Sequence, residues 1–219
     1  MIFENRTEAG RKLAEKLIKF KGQDVIVFAL PRGGVPVAAE VAKGLESPLD
    51  LIITRKIGHP FNPEYAMAAV TENGYLTLNK DEAVNATEDW FVESLEKAEN
   101  EARRERKLYF GKIPRLSATG KIAIIVDDGL ATGLTMETAI QDLKRQKPSQ
   151  IIIAVPLGPV DTIELITKDV NEIIVVEIPE IYLGAVGSYY HEFNQISDEE
   201  VINILNQFRK RKNGLQTKS

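Results

Sequence analysis

Cysteine is absent from the chain. Its absence excludes disulfides, thiolate catalysis and zinc-thiolate sites together, and it fits a reducing cytosol, so a cytoplasmic location is the expectation. Histidine is nearly as scarce: there are two in 219 residues, and His59 and His191 each read as a loop residue rather than a catalyst. No stretch approaches the roughly 20 apolar residues that span a bilayer. The amino-terminal "MIFENRTEAGRKLAEKLIKF" has no uninterrupted apolar segment of signal-peptide length, and a soluble, intracellular protein is expected. Neither sign of charge dominates. With 28 basic and 32 acidic residues the formal charge is −4, a balance that advertises neither a nucleic-acid nor a membrane partner. Any anion must be held by local geometry. Internal repeats and low-complexity segments are missing as well.

What is present points to an α/β chain. Hydrophobic residues make up 43% of the sequence, enough for the core of one generous domain. Five short runs are rich in Val, Ile and Leu: "DVIVFAL" from 24, "LDLIIT" from 49, "KIAIIVDD" from 121, "QIIIAVPL" from 150 and "EIIVVEI" from 172. They lack two-residue alternation, as strands covered on both faces do. Between them lie stretches of helical spacing. Met136, Ala139, Ile140 and Leu143 share one helix face, and Leu13, Leu17 and Phe20 form a stripe in the segment 6–20. Strands alternating with helices predict a mostly parallel sheet with flanking helices.

Two regions break the alternation. From Tyr75 to Ser117 a strand-like "YLTL" precedes "EDWFVESLEKAENEARRERKLYF", which reads as a long, largely solvated or subunit-facing helix. Its Arg103, Arg104, Arg106 and Lys107 suggest anion binding, but interleaved glutamates favour solvation. From Pro179 to Phe193, aromatics are concentrated among glycines in a stretch that is not regular throughout. "SDEEVINILNQF" predicts a capped helix, followed by a basic tail expected to fray.

The chemistry is concentrated in "IIVDDGLATGLT", residues 124–135. In an open parallel sheet, ligands sit beyond the carboxyl ends of the strands. The unsatisfied N–H groups of a helix beginning near Thr135 make a phosphate site there. Gly133 lets backbone approach closely, and Thr132 and Thr135 add hydroxyl donors. A Walker A loop is excluded because no lysine follows the glycine. The consecutive Asp127 and Asp128 leave the strand in different directions. Carboxylates accept hydrogen bonds from sugar hydroxyls and can hold Mg²⁺ through its waters. A phosphorylated sugar satisfies both halves of the motif; the plainer alternative is a solvated strand-loop-helix junction. A second run, "LPRGG", offers N–H groups from Arg32, Gly33 and Gly34 together with a guanidinium, which suits a second anion; equally, it suits a tight strand-to-helix turn.

The strand, the Asp-Asp pair and Ala-Thr-Gly-Leu-Thr resemble the phosphoribosyl pyrophosphate (PRPP) motif of type I phosphoribosyltransferases. "ALPRGGVPVAAEVA" and "IITRKIG" resemble that family's first two sheet edges, and the likeness covers roughly 24–190. It implies a single phosphoribosyltransferase domain over 1–219. Within it are expected a hood loop at 57–78, an inserted helical segment at 80–117 and a C-terminal hood and tail at 179–219. By the same resemblance Ala131, Thr132, Gly133, Leu134 and Thr135 hold the 5′-phosphate. Arg32, Gly33, Gly34, Arg55 and Lys56 hold pyrophosphate, with the last two ending the second strand. Asp127 and Asp128 grip the ribose, and Mg²⁺ is held mainly by ligand and water, with the acid pair as its protein partners. "IGHPFNPEYAMAAV" reads as a mobile loop in which Glu64 serves as acid or base or is a plain loop acid. Tyr182, Tyr189 and Tyr190 stack on a planar acceptor or form subunit contacts. The implied activity is transfer of the phosphoribosyl group to a nucleobase-like nitrogen by a homodimer. A PRPP- or nucleotide-sensing regulator on the same fold, and a hydrolase, are the alternatives.

Overall fold

The computed structural model describes residues 2–60, 62–79 and 88–216; the side chains of 63, 64, 88 and 210–216 are outside that description. Strand β1 (Val25–Ala29) is buried along its whole length, and its residues divide between two cores. Val25, Val27 and Ala29 join Leu13, Leu17 and Val41 under α1 (Arg6–Lys16) and α2 (Gly34–Leu45). Ile26 and Phe28 meet Met136, Ala139 and Ile140 of α4 (Leu134–Lys144) on the other face. A strand with apolar neighbours above and below has no use for polar alternation, which is why these runs read as continuous.

The main sheet contains β2 (Leu49–Leu51), β1, β6 (Ile122–Val126), β7 (Gln150–Leu157) and β8 (Glu172–Glu177) in the order β2-β1-β6-β7-β8, all parallel. From β1 the chain steps outward through α2 to β2. From β6 it steps the opposite way through α4 and α5 (Val160–Thr167). The order therefore reverses between β1 and β6, whose ends align at Ala29 and Val126. In such sheets the crevice at the reversal is where ligands bind.

The hood expected as a mobile loop is a second sheet. Strands β3 (Thr54–His59), β4 (Asn62–Thr71) and β5 (Leu76–Leu78) pair antiparallel in that order. Ile57, Met67, Ala68, Ala69 and Val70 are buried. The register shifts around Gly58, which breaks the two-residue alternation that would have announced the strands. Arg55 and Lys56 thus open β3 instead of ending β2.

Helix α3 (Glu88–Phe110) is also less solvated than expected. Arg103 and Arg104 do make exposed pairs with Glu99 and Glu101. Ala102, Glu105, Tyr109 and Phe110 are buried, and Arg106 reaches the buried Asp50 on β2 at 2.5 Å. The last helix, α6 (Asp198–Gln216), runs further than anticipated into the basic tail. It begins with the predicted reciprocal cap: Glu200 N–H donates to Ser197 Oγ, and Ser197 N–H donates to Glu200 Oε2.

Candidate functional site

At the reversal point, the loop after β1 and the loop after β6 are in contact. The Pro31–Arg32 peptide is cis, and Gly33 and Gly34 then turn the chain into α2. A β-carbon on Gly33 would stand 2.1 Å from Asp128 Oδ2, and one on Gly34 would stand 2.9 Å from the Cα and 3.0 Å from Oδ1 of Asp127. The two glycines therefore let one loop lie directly on the acid pair of the other. Gly33 has φ −59° and ψ −37°, a conformation open to any residue, so space alone requires glycine there.

Asp127 and Asp128 follow the last residue of β6 and are partly buried. Asp127 Oδ1 accepts from the N–H of Asp128 at 2.8 Å. Burial holds the Asp127 carboxyl well above the usual carboxylate range; the charge of Asp128 adds to this, while Lys56 and Arg6 oppose it. Burial also raises Asp128, and there the opposing influence is chiefly Arg6. Arg6 Nε lies 2.8 Å from Asp128 Oδ2, with the two side chains 9% and 14% exposed. Nothing in the hydrophobic pattern singled out Arg6. One signal was available: a cation in the first turn of a helix opposes the helix dipole, so it needs a partner elsewhere.

The 131–135 segment forms the turn into α4. Gly133 has φ +83°, a left-handed conformation that favours glycine. The loop is propped from outside the expected site. Thr162 Oγ1 of α5 donates to the Ala131 carbonyl at 2.8 Å, Leu130 N–H donates to the Leu157 carbonyl at 2.8 Å, and Tyr182 Oη donates to the Leu130 carbonyl at 3.2 Å. Ala131 and Thr132 are exposed, and the first amides of α4, which have no partner within the helix, face the same end of the sheet.

The other expected residues divide. Arg32 Nη1 lies 3.7 Å from Asp198 at the start of α6. Arg55 is drawn to α3, bonding Glu105 and lying 3.5 Å from Glu101. Lys56 is exposed and close enough for its charge to act on Asp127. Glu64 lies in β4, and its side chain is outside the described residues. The tyrosines are supports more than a stacking wall. Tyr189 and Tyr190 are 4% and 3% exposed. The Tyr189 hydroxyl donates to the Ile181 carbonyl and accepts from Leu183 N–H. The Tyr190 ring packs beside Phe3 and Phe193, and its hydroxyl donates to the Asp128 carbonyl at 2.7 Å. These rings are enclosed by their neighbours and do not present faces to an acceptor. Tyr182 is the more accessible of the three.

A family model described as the phosphoribosyl transferase domain matches residues 2–187. The chain belongs to that family. Its five-stranded parallel sheet between helices is the type I phosphoribosyltransferase architecture. The chain is 39% identical over 213 residues, 93% of its length, to a Mycobacterium tuberculosis protein assigned to the phosphoribosyl transferases. It spans only 46% of that relative. A uracil phosphoribosyltransferase of Aquifex aeolicus is 36% identical over 87 residues, covering 40% of this chain and 38% of that one. The crystal structure of the Thermus thermophilus protein TT1426 superposes with a TM-score of 0.80 at 34% identity, covering 95% of this chain and 99% of its own. Among the described residues no helix is long and apolar enough to cross a membrane.

Proposed function

We propose that the protein transfers the 5-phosphoribosyl group of PRPP to a ring nitrogen of a nucleobase-like acceptor and releases pyrophosphate. The observation that carries this reading is the packing of Gly33 and Gly34 against Asp128 and Asp127. This supports a site in which the loop after β1 and the 131–135 turn share one acid pair, as a sugar with phosphate at one end and pyrophosphate at the other requires.

In this reading the amides and hydroxyls of 131–135 fix the 5′-phosphate, and Asp127 and Asp128 accept from the ribose hydroxyls. The C1–oxygen bond to pyrophosphate breaks as the C1–nitrogen bond to the acceptor forms, and the proton of the acceptor nitrogen leaves to water. The sugar becomes oxocarbenium-like and is steadied by the acids. Charge gathering on pyrophosphate is met by Arg32, the Gly33 amide and Lys56, the Gly34 N–H being engaged by the Leu30 carbonyl at 3.1 Å. Arg55, committed to Glu105, acts at the margin of that cradle.

Family members use PRPP as its Mg²⁺ complex. Among the described residues no cluster of three or more acidic or histidine side chains could hold a metal. Asp127 and Asp128 offer hard oxygens that would hold a magnesium ion through its waters. When bound, the ion neutralises leaving-group charge. A homodimer in the cytoplasm belongs to the same reading.

The test is pyrophosphate release from PRPP and Mg²⁺ across a panel of purine, pyrimidine and pyridine bases. Release that depends on one base supports the transferase. Tight PRPP binding without turnover on any base replaces it with a sensor, and release without any base replaces it with a hydrolase.

A further inference from the structure

Arg6 links three parts of the chain that are distant in sequence. Its Nε donates to Asp128 Oδ2 at 2.8 Å, its Nη1 donates to the Asn194 carbonyl at 2.8 Å, and its guanidinium lies over the Phe193 ring with Cζ 3.7 Å from the centroid. The residue is 8% exposed. A surface ion pair holds a carboxylate loosely, but a buried one with a fixed donor direction holds it in one rotamer.

The oxygen that Arg6 engages is the one that fills the space beside Gly33. Asp128 is thus clamped between the guanidinium on one side and the backbone of the pyrophosphate loop on the other, with Oδ2 pressed hardest against Gly33 and Oδ1 farther off, 3.3 Å from the same β-carbon position. Behind Arg6 the chain of contacts closes. Phe193 covers Gly187, where a β-carbon would lie 2.7 Å from its ring, and Val186 covers Gly129, where one would lie 2.6 Å away. Tyr190, packed on Phe193, donates to the Asp128 carbonyl. Side chain and backbone of Asp128 are therefore held from the same buttress, made of the first turn of α1 and the 186–194 segment.

We infer that Arg6 is a positioning residue for sugar recognition: it fixes the Asp128 carboxylate against the pyrophosphate loop in the orientation that receives the ribose. It touches neither reacting atoms nor phosphate and acts through Asp128. This rests on the PRPP reading given above.

Calorimetry of the full chain with PRPP and Mg²⁺, and separately with inorganic pyrophosphate and Mg²⁺, tests it in wild type, Arg6→Gln, Arg6→Lys, Asp128→Asn and the double variant R6Q/D128N. Losing a charge-assisted hydrogen bond of this kind weakens PRPP binding by roughly 10- to 100-fold. Pyrophosphate affinity should change by less than about threefold, because its cradle keeps its own donors. R6K should lie between wild type and R6Q. In the D128N background R6Q should add little, since the two residues act as one unit. A merely structural arginine would weaken both ligands together or neither, and its effect would persist in D128N; either result overturns the inference. If R6Q does not fold, R6K carries the same comparison: selective weakening for PRPP supports the inference, and equal weakening of both ligands overturns it. A wild type that binds no PRPP removes the functional reading and this inference with it, whereas a wild type that binds beside an equally tight R6Q removes the inference alone.

Discussion

Gly33 lies so close to Asp128 that a single methyl group on it would stand 2.1 Å from Oδ2 of that acid. Contact of this kind ties the two halves of the site together, because neither loop can shift without the other.

Gly33→Ala is therefore expected to act on the ligand site through space. The backbone there accepts alanine, so the added methyl must push Asp128 or its own loop aside. Overpacking of this kind costs about 1–3 kcal/mol. The expected outcome is a modest fall in stability by denaturant titration, with PRPP affinity lowered at least about tenfold. Unchanged affinity would mean that the two loops do not share a ligand.

A second prediction concerns Glu72. Its Oε2 accepts from the Ile53 N–H at 2.9 Å, and its own N–H donates to the Ile53 carbonyl at 3.1 Å. Burial pushes its carboxyl up to about 7 from 4.5, with Arg115 opposing and Asp142 adding to the rise. A shift of that size corresponds to something on the order of 3 kcal/mol between protonation states. The folded state holds the proton more tightly than the unfolded chain. Stability is thus fully present below about pH 4.5 and is lost as pH rises through about 7. Glu72→Gln keeps an oxygen for Ile53 and has no charge to bury. It should unfold like wild type near pH 4.5 and be more stable by about 1–3 kcal/mol above pH 7. Denaturant melts at the two pH values decide the matter.

The third prediction concerns the C-terminal end of α3. Asp50, 1% exposed, receives Arg106 at 2.5 Å and the N–H groups of Leu116 and Leu51 at 2.6 and 2.7 Å. Arg106→Met leaves that carboxylate buried without its counter-ion and should destabilise by about 3–5 kcal/mol. Adding Asp50→Asn should recover part of the loss. Urea unfolding of the two variants checks the pair; a mild effect of R106M alone would show that α3 docks mainly by its apolar face.

The two loops that meet at the sheet reversal were legible because their sequence pattern is local. A strand end, two acids, a glycine turn and a helix start lie within twelve residues, 124–135, and the backbone does the rest. The parallel strands were legible for a similar reason, since burial on both faces leaves a continuous apolar signature in each run. The hood sheet was not, because Gly58, Pro60 and Pro63 read as loop punctuation and the shifted register at Gly58 hides the alternation of Ile57 and its neighbours. The tyrosines were recognised as belonging near the site, but their roles were not. Whether Tyr190 stacks on a ligand or bonds the Asp128 carbonyl depends on a contact across 62 positions, which no local pattern encodes. Arg6 was missed for the same reason: its partner lies 122 positions away.

The clasp between Ile53 and Glu72 also sets how Lys56 is carried. Between that anchor and Lys56 runs only a stub of backbone, while the hairpin tip near Pro60 extends well past it. The backbone that carries Lys56, whose charge acts on Asp127, is therefore anchored beside the clasp and not at the hairpin tip.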